Sequence, residues 1–369
     1  MMAAAQQNDA PTPLENHLVD IVSLIESNDY GEAGRILDSL SSIYPEDDAL
    51  QYYSGVCAYS QGRSAQAAER FAAAVQADTS NTWYREALAA AYISLGDSQS
   101  AGEVYLDLAK VNPRKFRNAY TLTLIADAYR AKRDYPRMFE SLTQFAQDQS
   151  IGVDVRFQYL MNAVGRIDPR DFMTQMPRID SLSKAFISAE PRSVEPHDMR
   201  LQIHSLLRQW EGVISEADKI RSLTRDPALV VQMTGLMGDA CHELGDKRRT
   251  FGYYEYALRL DPEYCPVLNN YAWHLCTERR KLKKAEQMSR ITIEKEPDNA
   301  TYLDTYAWIL YLRGRAKEAK PYFKHAMLYG GKDSETILRH YAAVLDALGE
   351  EDLAKYYRGL ADAKKSESR

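Results

Sequence analysis

Cysteine is scarce in this 369-residue chain: four thiols, at Cys57, Cys241, Cys265 and Cys276. No two of them have the CxxC spacing that brings a pair of sulfurs onto one metal. Neither a zinc site nor a disulfide framework is expected, and the four read as small buried hydrophobes. Long apolar runs are missing as well, since none approaches the roughly 18 residues that a bilayer-crossing helix needs. The chain also lacks a basic excess. Its formal net charge is -6, which argues against a nucleic-acid partner, because such binding needs a clustered basic face. Phosphate-binding glycine loops, HExxH and GxSxG are absent. His242-Glu243 is followed by no second histidine at helical spacing, and the seven histidines are scattered rather than grouped as ligands. His325 and His340, in adjacent units, are the pair whose spacing would bring two imidazoles near each other, too few for a metal site. No enzymatic activity, metal or cofactor is expected.

The first residues, Met1 to Asp9, have no charged n-region and no apolar core of a signal peptide. The stub Ala3-Ala4-Ala5-Gln6-Gln7 is similar to what remains around a secretory cleavage site. The other reading is an ordinary leader rich in Ala, Gln and Pro. Either way residues 1–16 are expected to be disordered, and so is the tail 363–369.

What the chain does have is tyrosine, 25 against 9 phenylalanines. Tyr pairs a large apolar body with a polar tip and suits half-buried grooves and interfaces. It also has a period. Gly62 and Gly96 lie 34 residues apart, and Ala33, Ala67 and Ala101 share that spacing, as do Pro45, Thr79 and Pro113. Late in the chain Ala285 and Ala319 repeat it, with Ala354 following 35 on. Several residue classes holding one phase mark a helical repeat array.

The unit resembles the tetratricopeptide repeat (TPR), in which small residues sit at repeat positions 8, 20 and 27 and bulky ones at 4, 7, 11 and 24. A unit from Asp48 puts Gly55, Ala67, Phe71 and Ala74 at positions 8, 20, 24 and 27. One from Thr82 puts Leu88, Ala89, Tyr92, Ala101 and Tyr105 at 7, 8, 11, 20 and 24. One from Ala300 puts Tyr306, Ala307, Leu310, Ala319, Phe323 and Ala326 at 7, 8, 11, 20, 24 and 27. Small residues at 8 and 20 allow two helices to cross closely, and bulky ones fill the space on either side. Gly62, Gly96 and Gly314 stop the first helix of their pairs. The resemblance implies an all-α TPR α-solenoid, a superhelix of about ten stacked helix pairs. Its expected segments are N-terminal units over 17–150, divergent units with a longer connection over 151–227, and C-terminal units with a charged capping helix over 228–362. The alternative for 151–227 is a small non-repeat insert.

In that family the first helix of each pair lines a concave surface that holds protein or peptide segments. Carried over, the partner-binding positions are Tyr52, Tyr59, Trp83 and Tyr120, then Asn269, Trp273, Asp304, Trp308 and Tyr311, with Val56, Glu86, Ile93, Asp127, Arg130, Arg339 and Asp346 beside them. Tyr and Trp are preferred interface anchors. Packing between units is the other reading of the same aromatics. A carboxylate clamp is excluded, because Asn270 has no matching Lys and Arg in adjacent first helices. The run Arg279-Arg280-Lys281-Leu282-Lys283-Lys284 is read as a loop, a solvated turn first and otherwise a contact for an acidic partner or lipid head groups. The blocks Leu268 to Trp273 and Leu303 to Trp308 are similar to TPR proteins of the Gram-negative cell envelope. The functional expectation is therefore a non-catalytic scaffold or adaptor of a bacterial envelope or outer-membrane assembly, in the periplasm, touching membrane only through its partner. The alternatives are a chaperone-like holder of secreted clients and a cytoplasmic location.

Overall fold

The computed structural model describes residues 13–367, and among them there are helices and turns but no strand. The chain divides into two compact units between Pro191 and Arg192. The first contains α1 (Pro13–Glu26), α2 (Tyr30–Ser41), α3 (Asp48–Ser60), α4 (Ser64–Ala77), α5 (Thr82–Ser94), α6 (Ser98–Val111), α7 (Pro113–Phe116), α8 (Ala119–Ala131), α9 (Tyr135–Gln147), α10 (Val153–Gly165), α11 (Pro169–Phe172) and α12 (Met176–Ala189). The second contains α13 (Glu195–Leu206), α14 (Trp210–Leu223), α15 (Pro227–Glu243), α16 (Lys247–Leu260), α17 (Cys265–Thr277), α18 (Leu282–Lys295), α19 (Ala300–Leu312), α20 (Ala316–Leu328), α21 (Glu335–Ala347) and α22 (Glu351–Glu367). Setting aside the one-turn helices α7 and α11, successive helices pack in four pairs in the first unit, with α10 and α12 both packed on α9, and in five pairs in the second. Each unit is an all-α array of the TPR type.

Local chemistry explains where the helices begin and end. Asp47, Asn81, Asp97, Asn118, Asp134, Asp246 and Asn299 each accept a backbone N–H of the first turn that follows, satisfying donors that have no intrahelical partner. The turn inside a pair needs one left-handed residue. Gly62, Gly96, Gly245, Gly314 and Gly349 supply it with φ of 74–78°. Where the repeat lacks glycine there, Asn28, Arg133, Arg208 and Arg279 adopt the same region with φ of 50–63°.

The small-residue positions are where helices meet. Ala33, Ala67, Ala89, Ala101, Ala285, Ala307 and Ala319 are all fully buried. A Cβ placed on Gly55 would lie 2.6 Å from the Phe71 ring, and one on Gly238 equally close to the Tyr254 ring. At these two sites glycine is needed because an aromatic ring of the second helix packs directly against the backbone of the first. First helices of neighbouring pairs also touch, α15 on α17, α17 on α19 and α19 on α21, so one face of the second unit is built from four first helices in succession.

Several details differ from expectation. Helix α1 opens at Pro13, inside the leader expected over 1–16; residues 1–12 lie outside the described residues. Proline suits a first helical turn, where its missing N–H costs nothing, and Leu14 and Leu18 pack on the cluster around Ile21. At the other end α22 runs on to Glu367, into the tail expected over 363–369, of which 368–369 lie outside the described residues. Ala361 is fully buried and Lys364 Nζ stands 3.6 Å from Asp333 Oδ1, which holds this last stretch against its neighbour. The basic run is not all loop. Leu282, Lys283 and Lys284 form the first turn of α18, and Lys284 Nζ donates to Tyr271 Oη at 3.1 Å while lying 4.4 Å from its ring centre. Within 151–227, α11 and a short 3-10 turn over Met173–Gln175 form the connection, and α12 packs on α9.

Candidate functional site

The nine sequence-derived positions fall into two groups, one in each unit. In the first unit Trp83 is 69% exposed, and Tyr120 and Tyr59 are also open to solvent. Lys115 lies over the Trp83 ring and pairs with Glu86 at 2.6 Å. Tyr52 is not open. It is half-buried, 4.9 Å from the Tyr84 ring and 5.7 Å from Phe71, where it packs one pair on the next. Of the charged positions carried over with the nine, Asp127 pairs with Arg130 in the first unit, and Arg339 pairs with Asp362 and Asp346 with Arg358 in the second.

The second unit brings its group together. Asn269 and Trp273 on α17, Asp304 on α19, and Ser334 and Thr336 at the start of α21 line one open cleft of about 260 Å³. Asn269 and Asp304 are almost wholly buried, 5% and 6% exposed. Trp308 and Tyr311 stack on each other at 4.9 Å. Beside the cleft they support its wall, because Trp308 also packs against the apolar clusters on both sides of α19.

The wall is organised by a residue that the sequence reading considered only in a histidine pair. His340 on α21 has its Nδ1 2.8 Å from Asp304 Oδ1. Its ring stacks on Trp308 at 4.0 Å and meets Trp273 at 5.6 Å. His340 does not pair with His325, which instead lies 2.8 Å from Asp298. The missed signal was the spacing. Asp304 and His340 are 36 residues apart, and the same separation joins Tyr84 to Asp48, Tyr135 to Asp171 and Tyr159 to the Thr123 carbonyl.

A second missed element lies one pair earlier. Tyr254 Oη donates to Asp239 Oδ1 at 2.5 Å, Asn270 Nδ2 donates to the same oxygen at 3.0 Å, and Asn269 Nδ2 donates to Asn270 Oδ1 at 3.3 Å. An ionised carboxylate only accepts. Asp239 therefore turns the Asn270 amide nitrogen toward itself. That leaves the Asn270 oxygen for Asn269, and it leaves Asn269 Oδ1 without a partner among the described residues. Burial pushes the Asp239 carboxyl above its usual range, partly offset by the hydrogen bonds from Tyr254 and Asn270. Burial also raises the Tyr254 phenol, and Asp239 adds to it. Nearby, the His242 and His274 rings lie with centres 3.7 Å apart and planes tilted by 33°. Burial, and then His242, depress His274 to about 4.

No group of three or more potential metal ligands occurs among the described residues, and no described helix is long and apolar enough to cross a membrane. The four cysteines are buried free thiols, with burial pushing Cys276 up to about 12.

No family model matches the chain. No curated protein matches it either. Among solved structures it is similar to BtubC from P. vanneervenii, at 15% identity over 53% of this chain and 90% of that one, with a TM-score of 0.44. It is also similar to MamA of MSR-1, at 17% identity over 47% and 95%, with a TM-score of 0.36, and to MamA of AMB-1, at 19% identity over 47% and 99%, also at 0.36. Likeness at this level carries no argument about what the chain binds.

Proposed function

We propose that this protein is a non-catalytic interaction scaffold that holds an extended segment of a protein partner on the first-helix face of its second unit. The observation that carries the reading is the cleft. Three successive first helices contribute half-buried aromatic surface and buried polar groups to one place, which is how recognition sites combine apolar area with a few fixed hydrogen bonds. The repeated blocks around Trp273 and Trp308 favour a subunit or adaptor of a bacterial envelope assembly, located in the periplasm.

A photo-crosslinking residue placed at exposed Thr301, beside the cleft, tests this in the native cell, with exposed Lys324 on α20 as the control position. One stoichiometric partner captured from Thr301 and not from Lys324 is the expected result. A diffuse set of clients would favour a chaperone-like holder. Equal capture at both positions would remove the cleft from the proposal.

A further inference from the structure

The cleft has a chemical sign. Asn269 Oδ1 is buried and has no donor among the described residues. Its role as acceptor is fixed from outside, by the chain of bonds from Tyr254 through Asp239 and Asn270. Asp304 adds a carboxylate held by His340, and Trp273 adds the face of an indole. No lysine or arginine lines the cleft. A free acceptor, a carboxylate and an aromatic face ask for a group that donates hydrogen bonds and carries positive charge. An anionic group would meet Asp304. A neutral amide or hydroxyl would satisfy Asn269 but would gain nothing from the carboxylate or the ring.

We infer that the cleft between α17, α19 and α21 takes one cationic, hydrogen-bond-donating side chain of the partner segment, a lysine ammonium or an arginine guanidinium, against Asn269, Asp304 and Trp273. This rests on the protein-binding reading and deepens it. Recognition then centres on one basic residue, with Trp273 covering its aliphatic stem and excluding water around its charge. The partner segment needs a basic side chain at one position and tolerates variety at its flanks.

The test uses the full chain. A library of short random peptides is selected on the wild-type protein. Enriched peptides are then measured by fluorescence anisotropy, together with analogues in which the basic residue is replaced by norleucine, by glutamate, and by the other basic residue. Two variants report on the wall: Asp304→Asn, which keeps the shape and removes the charge, and Asn269→Leu, which removes the acceptor. Both are first shown by circular dichroism to melt as helical proteins. The expected result is a lysine or arginine at one fixed position, with norleucine weakening binding about tenfold or more. Each variant should weaken the basic peptide while leaving the norleucine analogue unchanged. The exchange of lysine for arginine tells which cation the cleft prefers. Enrichment of peptides with no basic residue, or equal affinity of wild type and Asp304→Asn for the basic peptide, would overturn the inference and leave the scaffold reading standing. Failure to select any peptide, together with no capture from Thr301, would remove both.

Discussion

His340 on α21 is held against α19, where its Nδ1 lies 2.8 Å from Asp304 Oδ1 and its ring stacks on Trp308 at 4.0 Å, and it reaches Trp273 of α17 at 5.6 Å. One imidazole therefore ties two first helices through a hydrogen bond and a ring contact at once. Trp308 is the centre of this arrangement, packing into the apolar clusters on either side of its helix. Trp308→Ala should therefore destabilise the second unit by about 2–4 kcal/mol, toward the lower part of the range for large aromatic truncations because the ring is only half-buried. Urea unfolding checks this. A midpoint equal to wild type would show that the indole is a surface residue kept for binding alone.

The turn glycines give a clean backbone prediction. A Cβ on Gly314 would meet nothing within 4 Å, yet its φ is +78°. Gly314→Ala should thus cost about 1 kcal/mol with no steric clash, purely from the left-handed conformation. Arg208 holds the equivalent turn at φ 54°, so Arg208→Gly should gain a few tenths to about 1 kcal/mol. Thermal melts of the two variants should shift in opposite directions. Shifts of the same sign would mean that the turns are not equivalent.

His274 makes a pH prediction. Its folded-state value, about 4, lies below the ordinary 6.5. Between those values the unfolded chain takes up a proton that the folded chain refuses, so stability falls as pH drops from about 6.5 toward 4. Asp239, raised by burial, acts in the opposite direction at the acidic end, because the folded state then holds the extra proton. The difference between wild type and His274→Gln isolates the histidine. The variant should lose less stability than wild type across that window in urea titrations at stepped pH, and parallel curves would argue that His274 is solvated.

Arg156 is the most buried cation of the first unit, 1% exposed, donating to the Ala146 carbonyl at 2.7 Å and pairing with Glu190. Arg156→Met keeps the packing volume but leaves that carbonyl and that carboxylate without their donor. The expected cost is about 1–3 kcal/mol, since a buried acceptor left unpaired loses more than the bond was worth. Arg156→Lys should recover only part of it, because one ammonium lacks the fork that reaches both acceptors.

The helix pairs were legible because their causes are local and periodic. Ala67 and Ala101, and again Ala285 and Ala319, recur at one spacing because helix crossings admit only small side chains, and Gly62, Gly96 and Gly314 recur because the turn between helices is left-handed. Arg133, Arg208 and Arg279 occupy the same turn without showing it, since nothing about an arginine announces positive φ. The site was half legible. Asn269, Trp273 and Asp304 followed from the face of the first helix. Asp239 and His340 did not, because their roles depend on side-chain bonds between neighbouring pairs, at separations near but not equal to the repeat length. Tyr52, carried over as a partner-binding position with packing between units as the other reading, is half-buried against Tyr84 and Phe71. Tyrosine serves both purposes, and the residue type alone does not separate them.

The bonds that join Tyr254 to Asn269 converge on Asp239, with Tyr254 donating to it from one side and Asn269 and Asn270 donating in sequence toward it from the other. The asparagine arm works as a polarised wire: the sign presented in the cleft is written on a different helix pair from the one that touches the ligand. Asp239→Asn would offer a hydrogen where there is now only an acceptor, freeing both amides beyond it to turn over, so that the same cleft, with every lining residue unchanged, would present a donor in place of an acceptor. In such an array specificity can be inherited from a neighbour, and exchanging one repeat can rewrite what the next one reads.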